Sequence, residues 1–265
     1  MPVYKDQLNR EITLPGIPKK IISLVPSQTE LLFDLGLDKE VIGITKFCVH
    51  PEHWFRNKTR IGGTKTVQTD LIASLQPDLV IANKEENVQQ QVEALEKIAP
   101  VWISDISTIE EAYHMMQSLG EITGTSLKAD ALIDQIKKGF NTLPSLITKK
   151  YRTAYLIWKD PYMSAGGDTF ISDILQRSGF ENVMADQSRY PQITVAALKE
   201  KNTELLFLSS EPYPFKQKHI DELQAELPGV KILLVDGEIF SWYGSRMRFA
   251  GEYIKNLWED LNIKY

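Results

Sequence analysis

The sequence predicts an α/β protein made of two lobes that are joined by one long helix. Three observations support this fold class. Short apolar strands alternate with amphipathic helices in both halves of the chain, as they do in βαβ units. A long helical stretch separates the two sets of strands, and each set contains a similar block of helix, polar turn, buried strand and loop. We therefore expect an N-terminal lobe (1–124), an inter-lobe helix (125–147), a C-terminal lobe (148–265) and a ligand cleft between the lobes.

The N-terminal lobe contains four predicted strands with helices or turns between them. The strands are expected at 21–25, 41–44, 78–82 and 101–103, and the helices at 27–36, 71–75 and 88–98. After Asp78 the third strand is a continuous apolar run, which is typical of a strand buried on both faces of a parallel sheet. The second strand leads into a loop at 45–54 that is rich in aromatic and nitrogen-containing side chains.

Two helices are predicted in the stretch between the lobes. The first is expected to be broken by Gly120, Gly124 and Thr125. The second runs from Ser126 to Leu143, and Pro144 should end it because proline is not readily accepted inside a helix. Its apolar residues recur at steps of three and four and form one stripe, which consists of Ala129, Leu132 or Ile133, Ile136, Phe140, Leu143 and Ile147. At 1.5 Å per residue this helix would be roughly 27 Å long, which suits a connection between two lobes.

The C-terminal lobe repeats the alternation of the N-terminal lobe. Strands are expected at 152–158, 204–208 and 230–235, and helices at 195–199, 220–226 and 245–261. A further helix should begin at an N-cap on Asp168 and extend to Gly179. When Leu79 is aligned with Leu205, Glu85 falls on Glu211, so the repeat predicts a glutamate at the same place on each lobe.

Composition and charge limit the classes of function. The hydrophobic content of 43% and the charged content of 25% are those of a soluble globular protein. The net charge of −5 is scattered and no run of lysine or arginine occurs, which argues against a nucleic-acid surface. No stretch approaches the ~20 apolar residues of a membrane span. The N-terminus shows no apolar segment of a secretory signal, so we expect either a mature form with its leader replaced or a protein that stays inside the cell.

The candidate ligand-binding residues lie where the predicted strands end. In parallel sheets these ends form the usual binding edge. The residues that this rule selects are Pro26, Ser27, Phe47, His50, Thr64, Lys65, Asn83, Trp158, Tyr162, Tyr190, Trp242 and Tyr243. Many of them are aromatic, and flat rings with a few hydrogen-bond donors suit a large, partly apolar ligand. Arg246, at the start of the last helix, would face either an anionic ligand or solvent.

Catalytic motifs are scarce, and we expect a protein that is not an enzyme. The sequence contains no G-x-S-x-G elbow, no phosphate-binding G-x-x-x-x-G-K-[ST] loop and no H-E-x-x-H zinc motif. One alternative stays open, because Cys48, His50 and His53 place three metal-capable side chains in one loop. That spacing would fit a metal-dependent enzyme, although a structural site normally needs a fourth ligand. Cys48 is also the single cysteine, so no intrachain disulfide can form.

Three motifs resemble one family of transport proteins. They are Ile22-Ser-Leu-Val-Pro-Ser-Gln-Thr-Glu-Leu, Leu75-Gln-Pro-Asp-Leu-Val-Ile-Ala, and Ser164-Ala-Gly-Gly-Asp-Thr-Phe-Ile-Ser-Asp-Ile-Leu with Gly179-Phe-Glu-Asn-Val. Together they resemble the helical-backbone class of ABC-importer substrate-binding proteins, the group that receives cobalamin and ferric siderophores. The resemblance implies two Rossmann-like lobes, one linking helix and a ligand in the cleft.

The resemblance also implies a function and partners. A monomeric receptor would capture a corrinoid or, second, a ferric siderophore, and deliver it to an ABC permease dimer with its ATPase subunits. It would need no cofactor of its own, since its ligand is a cobalt or iron chelate, and it would meet the membrane only through the permease. The family works in the periplasm or at the cell surface. An intracellular binding or sensing module with the same fold is the remaining alternative.

Residue by residue, the resemblance assigns roles to some of the candidates. Trp158, Tyr190 and Trp242 lie where the cobalamin receptors have aromatic ligand contacts, and His50, Asn83 and Thr64 replace aromatic residues of that family. A second set resembles the paired glutamates that dock to arginines of the permease, and it consists of Glu85 or Glu86 in the first lobe and Glu211 in the second.

Overall fold

The computed structural model describes residues 1–147 and 149–262. These residues form two compact units, which we call unit 1 and unit 2. Unit 1 comprises Met1–Ile106, Glu110–Asp134 and Tyr243–Arg246, and unit 2 comprises Ser107–Ile109, Gln135–Trp242 and the chain from Met247 onward. Parallel strands alternate with helices in both, which confirms the predicted α/β class. The predicted ranges 1–124, 125–147 and 148–265 stay a prediction. The two units are defined by packing, and each is made of several separate stretches of the chain.

Unit 1 is built on one parallel sheet. Its strands are β1 (Val3–Lys5), β2 (Glu11–Thr13), β3 (Ile21–Ser23), β4 (Val41–Ile44), β5 (Thr59–Arg60), β6 (Gly62–Gly63), β7 (Thr66–Val67), β8 (Leu79–Asn83) and β9 (Val101–Ser104). The sheet has the order β5-β4-β3-β8-β9 and every neighbouring pair is parallel. The pairs β1–β2 and β6–β7 form separate antiparallel hairpins, which are too short for the alternation pattern to predict. Every residue of β8 is buried, as its apolar run predicts.

The helices α1 to α6 complete unit 1 and lead out of it. They are α1 (Pro26–Asp34), α2 (Glu52–Asn57), α3 (Thr69–Leu75), α4 (Gln89–Glu96), α5 (Ile109–Thr123) and α6 (Ser126–Asn141). The core groups Ile22 and Val80 of the sheet with Ile72 of α3 and Val92 and Leu95 of α4. Helix α2 occupies part of the predicted loop at 45–54, because the buried Trp54 anchors it.

The break predicted between the two linking helices lies at Gly124 and Thr125, between the end of α5 and the start of α6. Helix α5 passes through Gly120, and a Cβ at that position would lie 2.7 Å from the Cβ of Ala129 in α6. Gly120 therefore allows the two helices to approach, and the predicted break at this residue is wrong. Gly124 ends the turn with φ +70°, a conformation that favours glycine. Helix α6 then runs to Asn141, with its residues up to Asp134 in unit 1 and the rest in unit 2.

Unit 2 repeats the plan of unit 1. Its elements are β10 (Tyr151–Trp158), β11 (Met163–Ser164), α7 (Phe170–Arg177), β12 (Phe180–Asn182), α8 (Val195–Glu200), β13 (Leu205–Ser209), α9 (Gln217–Glu226), β14 (Lys231–Val235), α10 (Gly237–Ser241) and α11 (Ala250–Asn262). The sheet has the order β11-β10-β13-β14, with β12 also paired to β10, and β11 is its antiparallel strand. Strand β13 thus matches β8, since each has five buried residues and a parallel strand on both sides.

Two predicted helix starts in unit 2 are corrected. The N-cap of α7 is Thr169, whose hydroxyl accepts a hydrogen bond from the Ser172 amide at 3.2 Å. The predicted cap, Asp168, instead accepts from the backbone amide of Arg189. The last helix begins at Ala250, because the five residues before it form a 3₁₀ turn. Within the described ranges, no helix has the length and apolar character needed to cross a membrane.

Candidate functional site

The carboxyl ends of β3, β4 and β8 bring many of the predicted residues of unit 1 to one edge of the sheet. The loop after β4 contacts the start of α1, because the Cys48 thiol lies 3.1 Å from the hydroxyls of both Thr29 and Thr45. The same loop contacts the β6–β7 hairpin, since a Cβ at Gly63 would lie 3.2 Å from the Phe47 ring. The predicted positions after β3 and β4 and in this hairpin therefore lie in neighbouring loops.

The loop after β4 directs apolar side chains outward. Phe47 is 51% exposed and Val49 is 41% exposed, whereas Cys48 between them is buried. The ammonium group of Lys46 lies 5.1 Å from the centroid of the Phe47 ring. Val49 was not among the predicted residues. Its position in the same loop, two residues after Phe47, could have indicated that it is exposed beside that ring. This loop offers a ligand an exposed ring, an aliphatic side chain and a cation.

Asn83 organises the loop that follows β8. Its side-chain oxygen accepts from the backbone amides of Glu85 (2.8 Å) and Glu86 (3.0 Å), and its amide nitrogen donates to the backbone and side-chain oxygens of Ser104. The side chain is 3% exposed, and these contacts are all internal to unit 1. Its ligand contact stays a prediction, while the structure gives Asn83 a role in holding the loop that carries Glu85 and Glu86.

The hairpin and the loop after β8 are tied together. Asn87 donates from its side chain to the Thr64 carbonyl at 2.9 Å, and the Lys65 ammonium donates to the Glu85 carbonyl at 2.8 Å. Thr64 is buried, whereas Lys65, Glu85 and Glu86 are exposed. Of these four predicted residues, three could therefore meet a ligand or a partner.

A polar cluster lies where Ser27 and Tyr243 meet. Both side chains are buried, and the Tyr243 hydroxyl lies near the hydroxyls of Ser27 and Ser104. Gln28 also donates to the Ser104 hydroxyl. Burial raises the pKa of Tyr243 well above its ordinary value, so the phenol stays neutral. The structure thus brings Ser27 and Tyr243 together, although they are far apart in the sequence.

Arg246 forms a bidentate ion pair with Glu30 of α1. Its Nε and Nη2 atoms lie 2.8 Å from the two carboxylate oxygens, and both side chains are largely buried. The sequence leaves two expectations for Arg246, contact with an anionic ligand or exposure to solvent. The structure instead pairs it with Glu30 inside unit 1. Sequence reasoning missed it because the partner lies in the first helix of the chain, outside any local pattern.

Cys48, His50 and His53 do not form a metal site. The Cys48 thiol is buried between two threonines, and burial raises its pKa, which keeps it protonated. His53 lies on α2 with its ring edge-on to Phe33 at 5.2 Å. Within residues 1–147 and 149–262, no three His, Cys, Asp or Glu side chains are grouped so that they could hold a metal ion. The spacing in sequence is not reproduced in space because α2 turns the chain after His50.

In unit 2, Trp158 is the exposed ring at the end of β10. It is 40% exposed, and it contacts Tyr213 edge-on with 5.7 Å between the ring centroids. Tyr213 was not predicted, although it lies in the loop that follows β13, the strand parallel to β10. The guanidinium of Arg189 lies 5.9 Å from the centroid of the half-buried Tyr190 ring, and Tyr162 packs against the core of the unit.

Tyr213, which contacts Trp158, also packs against the buried His219. His219 accepts a hydrogen bond from the Lys216 amide at its Nδ1 atom (2.9 Å), and the rings of Tyr213 and Phe215 lie within 5.5 Å of it. Burial is the main cause that lowers the pKa of His219 below its ordinary value of 6.5. This histidine is therefore a neutral part of the packing that supports the exposed tryptophan.

Another group of side chains in unit 2 brings together Trp242, a predicted ligand contact, and Glu211, a predicted docking residue. One oxygen of the Glu211 carboxylate accepts from the Ser241 hydroxyl and from the Trp242 indole, each at 2.8 Å. Trp242 is 8% exposed. Glu211 also lines a surface concavity of about 550 Å³ together with Leu234, Asp236 and neighbouring residues. The predicted ligand contact and the predicted docking glutamate are thus hydrogen-bonded to each other.

Comparisons with known proteins agree with this architecture. A family model described as periplasmic binding protein matches residues 21–232. The uncharacterized ABC transporter substrate-binding lipoprotein YvrC of Bacillus subtilis (strain 168) is 29% identical over 76% of this chain and 67% of its own. A vitamin B12-binding protein of Vibrio parahaemolyticus is 25% identical over 75% of this chain and 74% of its own.

Solved structures show the same fold. The petrobactin-binding protein YclQ from Bacillus subtilis aligns with a TM-score of 0.83 at 19% identity, over 97% of this chain and 98% of the other. Together with the family match, which spans most of the sequence, this places the two α/β units in a known architecture. The chain belongs to the periplasmic binding protein family.

Proposed function

We propose that this protein is the substrate-binding component of an ABC importer that captures a metal chelate and delivers it to the permease. The relatives support the transport role, since they include an ABC transporter substrate-binding lipoprotein and vitamin B12-binding proteins. The ligand is a corrinoid or, second, a ferric siderophore. The partner is a permease dimer with its ATPase subunits, and the receptor itself acts as a monomer.

The observation that carries this proposal is the pair of exposed rings at the strand ends. Phe47 in unit 1 and Trp158 in unit 2 are large apolar side chains that the fold leaves open at the usual binding edge of a parallel sheet. Exposed aromatic faces bind flat or bulky ligands by stacking, and they need few hydrogen bonds to do so. This chemistry suits a macrocyclic chelate.

The alternative of a metal-dependent enzyme receives no support from the described residues. It required Cys48, His50 and His53 in one group, and the structure separates them. The family consists of binding proteins, so we propose binding without catalysis. We also propose a location in the periplasm or at the cell surface, which the relatives support because one of them is a lipoprotein. Fractionation of the source cells would distinguish this location from an intracellular sensing role.

Calorimetry tests the ligand class. We expect binding heat when the protein is titrated with cyanocobalamin or with a ferric hydroxamate, and the absence of heat from every such chelate would contradict the proposal. Replacing Trp158 with alanine should weaken binding about tenfold or more, since a buried aromatic contact contributes roughly 1.4 kcal/mol or more. Phe249→Ala is the matched control, because Phe249 is 46% exposed in the same unit and lies outside the predicted site. An equal loss of affinity in both variants would contradict a specific role of Trp158 in ligand binding.

A further inference from the structure

The carboxylate of Glu211 is held by two donors on the same oxygen. The Ser241 hydroxyl and the Trp242 indole both lie 2.8 Å from Oε1. Hydrogen bonds to an ionised acceptor are stronger than neutral ones. A surface glutamate otherwise samples several rotamers and loses that freedom when it docks to a partner. Fixing the carboxylate in advance removes part of that cost.

Of the two donors, the indole is the more constant. The Ser241 hydroxyl has one proton and two acceptors within reach, since the Gly237 carbonyl lies 2.9 Å away. The indole N–H is a pure donor. It is held in place because the Trp242 amide donates to the Glu238 carbonyl at 3.0 Å and the side chain is buried. Trp242 therefore sets the direction of the carboxylate.

The backbone of Glu211 is fixed separately. The Ser209 hydroxyl donates to the Glu211 carbonyl at 2.5 Å and accepts from the Glu211 amide at 3.3 Å. A Cβ at Gly237 would lie 2.6 Å from Cγ of Glu211, so the start of α10 leaves space for this loop only as glycine. With the backbone fixed by Ser209, the contacts of Ser241 and Trp242 determine where the side chain points.

We propose that Ser241 and Trp242 are positioning residues for the Glu211 carboxylate. The Trp242 indole, as a ligand contact of unit 2, then couples ligand binding to the docking glutamate through its hydrogen bond. The inference rests on the proposed function and on the family resemblance, which implies a ligand contact for Trp242 and a docking role for Glu211. A ligand that touches Trp242 would alter the hydrogen bond to Glu211, so the docking carboxylate would respond to occupancy. The residues of unit 2 alone carry this link.

Tryptophan NMR tests the hydrogen bond without any ligand or permease. The five indole N–H signals of the ¹⁵N-labelled protein are recorded, and Trp242→Phe identifies one of them by its loss. Glu211→Ala should move the Trp242 signal upfield and speed its exchange with water. Asp38→Ala is the matched control, because the Trp54 indole donates to the Asp38 carboxylate and only that signal should move. The indoles of Trp102 and Trp258, which donate to backbone carbonyls, should stay in place in both variants.

Two results would overturn the proposal at this stage. One is a Trp242 signal that is unchanged in Glu211→Ala, and the other is an equal shift of this signal in Asp38→Ala. The alanine variants alter only the acceptor, and Trp242→Phe serves only to assign the signal. The other four indole signals, unchanged in position, show that this variant is folded.

A second measurement tests the response to occupancy, with cyanocobalamin as the probe. The side-chain ¹³C signal of Glu211, identified by its loss in Glu211→Gln, should shift on addition of cyanocobalamin to the parent protein. In Trp242→Phe this shift should disappear even at cyanocobalamin concentrations at which calorimetry shows the variant to be saturated. An equal shift in that variant would contradict the coupling through the indole. Absence of binding heat from cyanocobalamin would count against the proposed ligand instead, and the indole measurement would still decide the hydrogen-bond link.

Discussion

The loops after β8 and β13 occupy equivalent places in the two units and are built on the same backbone contact. Each begins with a polar side chain at the last position of a buried strand, Asn83 in unit 1 and Ser209 in unit 2. Each of these side chains accepts a hydrogen bond from the backbone amide of the glutamate two residues later, at 2.8 Å from Glu85 and 3.3 Å from Glu211. The internal repeat in the sequence therefore corresponds to a repeated local structure.

The loops differ in how the glutamate side chain is held. Glu211 is half-buried and its carboxylate accepts from Ser241 and Trp242, whereas Glu85 is exposed and its backbone carbonyl accepts from Lys65. Asn83 accepts from two backbone amides, and Ser209 likewise contacts the backbone amide and carbonyl of Glu211. The side chain of Glu211 is in addition held by Ser241, at the end of α10, and by Trp242 after it. The comparison teaches that one loop is organised from its own strand and the other also from a neighbouring helix.

Removal of the Asn83 side chain should have the largest effect. Asn83→Ala leaves the amides of Glu85 and Glu86 and the oxygens of Ser104 without their buried partner, so we expect a loss of about 3 kcal/mol in the free energy of unfolding. Ser209→Ala removes one hydroxyl, which contacts the Glu211 backbone and accepts from the buried Tyr155 phenol, and it should cost less, about 1–2 kcal/mol. Urea unfolding of both variants measures the difference. Equal losses would show that the two loops do not differ in the way described.

A side chain at Gly237 should disturb only the loop of unit 2. The added methyl group of Gly237→Ala would overlap Ser209 and lie 2.6 Å from Cγ of Glu211, so we expect a loss of about 2 kcal/mol from strain. Hydrogen exchange should rise in the segment that contains Glu211 and stay unchanged in the segment that contains Glu85. Gly229→Ala is the control, because a Cβ there meets nothing within 4 Å.

Mild acid should weaken unit 2 more than unit 1, with the smallest effect of the three. Burial lowers the pKa of His219, so the unfolded chain binds a proton first as the pH falls below about 6.5. The free energy of unfolding is therefore at its full value above that pH and declines between it and the lower pKa of the folded state. The charged residues around the ring are Lys159, Lys216, Lys218 and Glu222.

Hydrogen exchange, corrected for intrinsic rates, measures this difference between about pH 7.5 and about pH 5.5. The segment of α9 should lose protection and that of α4 should not. His219→Gln should remove the dependence, because glutamine does not titrate. Of the four histidines, which all lie in described parts of the chain, His219 is the one that is buried. Equal loss of protection in α4 would contradict this assignment.

The sequence predicted the elements whose signals are local. The apolar run of β8, the stripe of α6 and the alternation of strands and helices depend on neighbours a few residues away, and these elements are observed. The strand-end rule also selected Phe47 and Trp158, which are exposed. The two hairpins were not predicted, because their strands have only two or three residues and so few positions cannot show an alternation of apolar and polar residues.

What the sequence did not predict depends on contacts between distant segments. Nothing near Arg246 indicates Glu30, and nothing near Glu211 indicates that Trp242 will donate to it. Gly120 resembled a helix breaker because its neighbour in α6 is invisible to local reasoning. The spacing of Cys48, His50 and His53 misled for the converse reason, since closeness in sequence does not fix the direction of side chains.

The return of Tyr243–Arg246 to unit 1 has a consequence for biosynthesis. The ribosome makes the strands and helices of that unit early, yet the residues that complete it, including the arginine that pairs with Glu30, are made only after the strands of unit 2. Vectorial synthesis therefore cannot finish the first unit before the second has emerged. A fragment that stops at the end of α6 would lack one side of this ion pair, so it would not contain a complete unit 1.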